Sequence, residues 1–155
     1  MTTRDGASIE AYLTAPPGGQ PGPLVVLPHG GPEVRDLRTW DRQVQVLAAQ
    51  GWWVLRPNFR GSGGYGMVFA REGWGRWGGR MQEDVEDAID HAIALKGLDA
   101  SRVAIMGTSY GGYAALMGAV RRPDLYKAAI AICGVADLLE MLEWERREDD
   151  TEGRL

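Results

Sequence analysis

Cysteine is almost absent from this chain: Cys133 is the one thiol among 155 residues. No internal disulfide can form, so a stapled secreted scaffold is excluded and a reducing, cytoplasmic setting is expected. Histidine is nearly as scarce, with only His29 and His91, and with one thiol they offer no metal-ligand spacing. No cofactor motif occurs either, so any chemistry is expected to run on side chains alone. Residues Met1 to Glu10 are polar and no apolar run approaches bilayer length, which argues against a signal peptide or membrane span. Positive charge is in deficit, 17 Lys plus Arg against 21 Asp plus Glu, and no basic block appears. Nothing therefore advertises nucleic acid or an anionic membrane surface, and a small soluble substrate is the default. The scattered arginines, set among acidic neighbours, read as solvated surface.

Glycine, by contrast, is abundant. The 22 glycines are about twice the usual share and gather where apolar runs end. With 45% hydrophobic and 25% charged residues, the chain has the composition of one folded domain. Ser8–Thr14 alternates as a half-buried strand, and Leu24–Leu27, Trp52–Leu55, Val103–Met106 and Lys127–Ile132 read as short buried strands. Between them, Trp40, Val44 and Leu47 mark a helix over Thr39–Gln50, capped by Gly51. Val85, Ile89, Ala92 and Ile93 mark a second helix, with Asp84, Asp87 and His91 on its polar side. A glycine-rich loop spans Arg60–Gly79, and a small-residue helix covers Tyr113–Val120 before Pro123. Strands alternating with helices predict an α/β fold, a mostly parallel sheet with helices on both faces. Sites in such sheets lie at the C-terminal ends of strands.

The sharpest motif is Gly107-Thr108-Ser109-Tyr110-Gly111, a G-x-S-x-G between a predicted strand and a predicted helix. A serine there occupies a strained turn that lifts its hydroxyl above the sheet, which makes Ser109 a candidate nucleophile. The helix that follows aims its N-terminal dipole and the Tyr110 N–H at charge developing on a substrate oxygen. His29-Gly30-Gly31-Pro32, after the Leu24–Leu27 strand, supplies a second glycine turn, and Gly31 N–H with Tyr110 N–H forms a candidate oxyanion pair. The competing reading makes each segment an ordinary tight turn without chemistry.

These stretches, with Arg4-Asp5-Gly6, Asn58-Phe59-Arg60-Gly61-Ser62, Tyr65-Gly66 and Trp77-Gly78-Gly79 leading to Asp84, resemble the catalytic domain of prolyl oligopeptidase family serine peptidases. The likeness is strongest to the acylaminoacyl-peptidase-like and dipeptidyl-peptidase-like branches. It implies an α/β-hydrolase fold, acylation of Ser109, an oxyanion hole from Tyr110 and Gly31, and a peptide or acylated-peptide substrate. Histidine at position 29, where some relatives carry tyrosine, assigns the second donor to Gly31. An apolar specificity pocket drawn from Val135, Leu138 and Met141 is also implied.

The chain departs from that pattern in one respect: the expected order is serine, acid, histidine, and no histidine follows Ser109. His91 reads as solvated and His29 as structural within its loop. Asp137 reads as a helix N-cap and Cys133 as a small buried residue. The expectation is thus the N-terminal part of a hydrolase domain, without the β-propeller of most relatives, and inactive or nearly so by itself. Its last strand would leave an open apolar edge that favours self-association, and Glu143–Asp150 reads as a solvated helix or frayed end. Two other functions fit the residues: a non-catalytic binding or assembly module, and an esterase for small esters on the same fold.

Overall fold

The computed structural model describes the backbone of residues 1–152 and the side chains of residues 1–147. Among them, β1 (Glu10–Thr14), β2 (Leu24–Val26), β3 (Trp53–Asn58), β4 (Val103–Thr108) and β5 (Tyr126–Ile132) form one sheet in the order β1-β3-β2-β4-β5. β1 runs antiparallel to β3, and every other pairing is parallel. The helices are α1 (Arg42–Ala49), α2 (Met67–Arg71), α3 (Arg80–Lys96), α4 (Tyr110–Arg121) and α5 (Leu138–Glu152).

Helices cover both faces, as the strand pattern predicts. On one face α3 and α4 set Met81, Val85, Ile89, Tyr113 and Ala114 against Leu24, Val26, Leu55, Val103 and Ile105. On the other, Val44 and Ala48 of α1 meet Val25, Leu27 and Val54. Residues on β2 and β3 are buried at every position, which is why Leu24–Val26 and Trp53–Leu55 read as continuous apolar runs rather than alternating ones, while Arg56 and Asn58 are buried polar residues. β3 runs three residues beyond the Leu55 end expected from sequence. Its pairing with β2 ends at Leu55, so the N–H that Pro57 lacks costs β2 nothing, while pairing with β1 continues to Asn58.

Local chemistry moves other boundaries. The Asp41 carboxylate accepts the Val44 N–H at 2.9 Å, so α1 starts at Arg42 instead of Thr39. Trp40 therefore lies outside the helix and is 75% exposed, which corrects its place on the packed face. The five-residue α2 sits inside the predicted loop and is too short to show a period. α4 begins three residues early, at Tyr110. α5 takes in the Glu143–Asp150 stretch, and its side chains from Leu142 to Arg147 are exposed; those of residues 148–150 lie outside the described residues.

Asp84 and Asp87 do not form a solvated helix face. Asp84 is fully buried and accepts from the Arg60 backbone N–H at 2.8 Å, from Nε at 2.9 Å and from Nη2 at 2.5 Å. Arg60, itself buried, also donates to Asp5 at 2.7 Å, and this hydrogen bond holds the Asp5 carboxyl well below the usual carboxylate range. Arg4 pairs with Asp87 and Arg121 with Glu86. Burial of the Arg60–Asp84 pair is tolerable because these donors compensate the lost hydration, and removing one partner of such a pair typically costs about 3–5 kcal/mol. This network ties the N-terminal segment and the turn after β3 to α3.

At the far side of the sheet β5 is an edge. Ala128, Ile130 and Ile132 are opposite Ala104, Met106 and Thr108 and so share the α1 face. Ile130 and Ile132 are 47% and 44% exposed on that face, at the end of the sheet among the described residues.

Candidate active site

Ser109 is a one-residue hinge between β4 and α4, with φ 58° and ψ −123°. This conformation is rarely adopted by a residue with a Cβ. The surroundings impose it. A Cβ on Gly107 would lie 2.2 Å from the Gly111 backbone, and one on Gly111 would lie 2.1 Å from the Pro28 carbonyl oxygen. The turn can therefore be this sharp only with glycine on both sides. Ser109 is pinned by its N–H, which donates to Ile132 at 2.9 Å, and by its carbonyl, which accepts the Tyr113 N–H at 3.1 Å. Its side chain stays exposed at the C-terminal end of β4.

Tyr110 follows Ser109 directly, and Gly31 follows Gly30, which meets the Ser109 side chain. Tyr110 is the first residue of α4, and among the described residues no carbonyl accepts its N–H. Its ring is buried against Phe59, Trp77 and Tyr113, and burial pushes its phenol far up, so it stays protonated. Gly30 meets the elbow directly, since a Cβ there would be 3.6 Å from Ser109 Cβ. Gly31 follows at φ 106°, and no carbonyl among the described residues accepts its N–H.

Neither histidine stands ready as a base. His29 is largely buried, with Nδ1 2.8 Å from the Gly30 carbonyl and Nε2 2.8 Å from Ser62 Oγ. Burial lowers its pKa, opposed by the Gly30 hydrogen bond and the Asp36 charge. His91 is exposed on α3, beside Met1, Ala11 and Leu13, away from the residues around Ser109.

The remaining expectations divide. Asp137 caps α5, accepting the N–H groups of Leu139 at 2.9 Å and Glu140 at 3.1 Å. Cys133 is exposed rather than buried, at φ 49°. It turns the chain from the open edge strand into Gly134, which packs against Gly112 with no room for a Cβ. Val135 and Met141 line an open groove of about 390 Å³ with Asp137 and Trp144. Leu138 does not line that groove and packs against the core instead.

Three side chains near the elbow were given no role by the sequence reading. Ser62 is fully buried under His29. Asp36 pairs with Arg56 at 3.1 Å, and both border a cavity of about 150 Å³ that His29, Gly30 and Thr108 also line. Burial pushes the Asp36 carboxyl up against the pull of Arg56. The Arg60-Gly61-Ser62 motif marked Ser62, but no periodicity could say that its hydroxyl meets a histidine 33 residues earlier.

A serine on a glycine-walled turn between a parallel strand and a helix, in a sheet covered on both faces, defines an α/β-hydrolase. Residues 38–152 match the prolyl oligopeptidase family of serine peptidases, and the chain belongs to that family. It is 39% identical over 151 residues to dipeptidyl aminopeptidase BIII of Pseudoxanthomonas mexicana, covering 92% of this chain and 22% of that protein. It is 34% identical over 140 residues to the acylamino-acid-releasing enzyme of Homo sapiens, covering 88% and 19%. Among solved structures, the Pyrococcus horikoshii acylaminoacyl peptidase superposes with a TM-score of 0.77 at 30% identity, over 83% of this chain and 21% of that one. A Mycobacterium tuberculosis puromycin-hydrolyzing peptidase gives 0.81 at 32% identity, over 91% and 22%. The chain thus spans about a fifth of the length of the curated relatives it matches.

The packing at the elbow predicts a sharp contrast between two glycines. Gly111→Ala drives a methyl into the Pro28 carbonyl and should lower stability by about 1–3 kcal/mol, the usual cost of overpacking. Gly118→Ala lies in the interior of α4, where alanine is the better helix former, and its Cβ would meet only side-chain atoms, at 3.2–3.3 Å, so it should cost less than Gly111→Ala. Denaturant midpoints of the two variants check this.

Proposed function

We propose that this chain carries the nucleophile half of a serine-peptidase site. Ser109 Oγ attacks a peptide or acyl-peptide carbonyl, and the resulting oxyanion is held by the N–H groups of Tyr110 and Gly31. The tetrahedral intermediate expels the amine and leaves an acyl-enzyme on Ser109, which water then hydrolyses. The observation that carries this reading is the exposed Ser109 hydroxyl at a left-handed hinge, beside a free helix N-terminal amide and a glycine loop in contact with it. The names of the relatives support acylated peptides and dipeptide-releasing substrates as the class. Val135 and Met141, in the open groove, are the substrate-pocket residues this reading favours. With His29 engaged and His91 remote, the proton from Ser109 passes to a base outside residues 1–155, and the chain by itself is nearly inactive.

Fluorophosphonate labelling tests this without a guess at substrate. The isolated chain should label slowly, added imidazole should accelerate labelling by supplying a base, and Ser109→Ala should abolish it. Hydrolysis of simple esters should not exceed about 10³–10⁴-fold over water, the residue left by an oxyanion hole without its triad. Fast labelling without imidazole would place a base within these residues, and labelling that survives Ser109→Ala would remove Ser109 from its role.

The exposed Ile130 and Ile132 of β5, the edge strand among the described residues, favour a second reading, in which this edge pairs with another copy of the chain. Sedimentation of the isolated chain should then show concentration-dependent association that Ile130→Lys weakens. A monomer at all concentrations would contradict it.

A further inference from the structure

The groove after β5 does not have the wholly apolar lining that the family resemblance implies. Leu138 turns into the core, and the walls are Val135, Ala136, Asp137, Glu140, Met141 and Trp144. The last four recur at the three- and four-residue spacing that sets side chains on one face of a helix. Asp137 at the cap and the first two turns of α5 therefore turn two carboxylates, a thioether and an indole toward one space of about 390 Å³, a volume typical of ligand clefts.

Backbone contacts join this groove to the nucleophile. The Ser109 N–H donates to the Ile132 carbonyl at 2.9 Å, and Gly134 packs on Gly112, in the first turn of α4, with no room for a Cβ. Val135, the first wall residue, comes next in the chain. A peptide whose carbonyl lies at Ser109 Oγ thus has the groove within reach of a long side chain beside that carbonyl.

Both carboxylates in the groove lack a cation. Asp137 Oδ1 accepts the N–H groups of Leu139 and Glu140, and no Lys, Arg or His among the described residues pairs with Asp137 or Glu140. Arg147, further along α5, is engaged by Glu143 at 3.5 Å. An apolar side chain in the groove would cover Met141 and Trp144 but strip water from Glu140 without replacing it. An acidic one would meet like charge. A lysine or arginine side chain lays its methylene stem along Val135 and Met141 and brings its cation to the Glu140 carboxylate and the Trp144 ring.

We propose that the groove selects a basic side chain, lysine or arginine, immediately before the scissile bond, with Glu140 as the specificity-determining residue and Trp144 as its aromatic wall. The proposal rests on the reading of Ser109 as nucleophile and of Val135 and Met141 as pocket residues.

Peptidyl phenyl phosphonates that differ only in the side chain next to phosphorus test it on the whole chain, with imidazole present as base. Ser109 Oγ bonds to phosphorus and phenoxide leaves, so each rate reports how the groove accepts that side chain. The lysine probe should label about tenfold faster than the norleucine probe, which has the same stem without the charge, as an exposed ion pair and a cation–π contact together supply. The glutamate probe should be slowest, and added salt should shrink the differences. Glu140 is exposed, so its substitution leaves the packing alone. Glu140→Gln should bring the ratio of lysine to norleucine rates towards one, and Glu140→Lys should put the glutamate probe ahead of the lysine probe. A wild-type ratio of one or below, or a ratio that Glu140→Gln leaves unmoved, would overturn the proposal. If no probe labels Ser109 even with imidazole, the nucleophile reading fails, and NMR titration decides the groove by itself. Acetyl-lysine methylamide should then shift the Trp144 indole and Val135 amide resonances at lower concentration than acetyl-norleucine methylamide does, and equal or weaker shifts would overturn the proposal.

Discussion

Backbone pressed against backbone at the C-terminal ends of β2 and β4 is the constraint on which the site depends. Gly107 packs on Gly111, and Gly111 on the carbonyl of Pro28, at distances that leave no space for a methyl. With β4 entering and α4 leaving through this contact, the chain has one residue in which to turn, and Ser109 takes a conformation that a side chain resists. The cost of order 1–3 kcal/mol for such a residue persists because the surrounding packing over-determines it. That geometry leaves the Ser109 side chain exposed at the end of β4, the first amide of α4 without a carbonyl partner among the described residues, and Gly30 of the loop after β2 against Ser109.

A second layer holds that loop in place. The buried Arg60–Asp84 pair fixes the turn after β3, the turn presents Phe59 and Ser62, and these two grip His29. The rings of His29, Phe59, Tyr110, Trp77 and Tyr113 then run as a continuous set of contacts from the loop after β2 to α4. A charge pair far in sequence from the serine is thus linked to it through packing.

Much of this was legible from residues alone. Buried strands announce themselves as short apolar runs, and the G-x-S-x-G between a strand and a helix carries its own geometry, so the fold class and the place of Ser109 followed from pattern. Membership of the prolyl oligopeptidase family agrees with the motifs that suggested it. What sequence concealed were partners distant along the chain. Asp84 sits at a position that helical periodicity assigns to water, yet it is fully buried because Arg60 reaches it from 24 residues away. Trp40 has the spacing of a core residue, and one cap hydrogen bond at Asp41 excludes it from α1. Cys133 has the apolar character of a buried residue, but it is exposed where the chain leaves β5, the last strand of the sheet among the described residues.

Strain at Ser109 is the central claim, and a comparison of two variants measures it directly. Ser109→Gly and Ser109→Ala both delete the hydroxyl, but only glycine adopts the left-handed hinge freely. The strain relieved exceeds the extra chain entropy that glycine loses on folding. Equilibrium unfolding should therefore find Ser109→Gly more stable than Ser109→Ala by about 1 kcal/mol. If Ser109→Ala proves as stable as Ser109→Gly, or more so, the hinge is not strained and the account of the elbow fails.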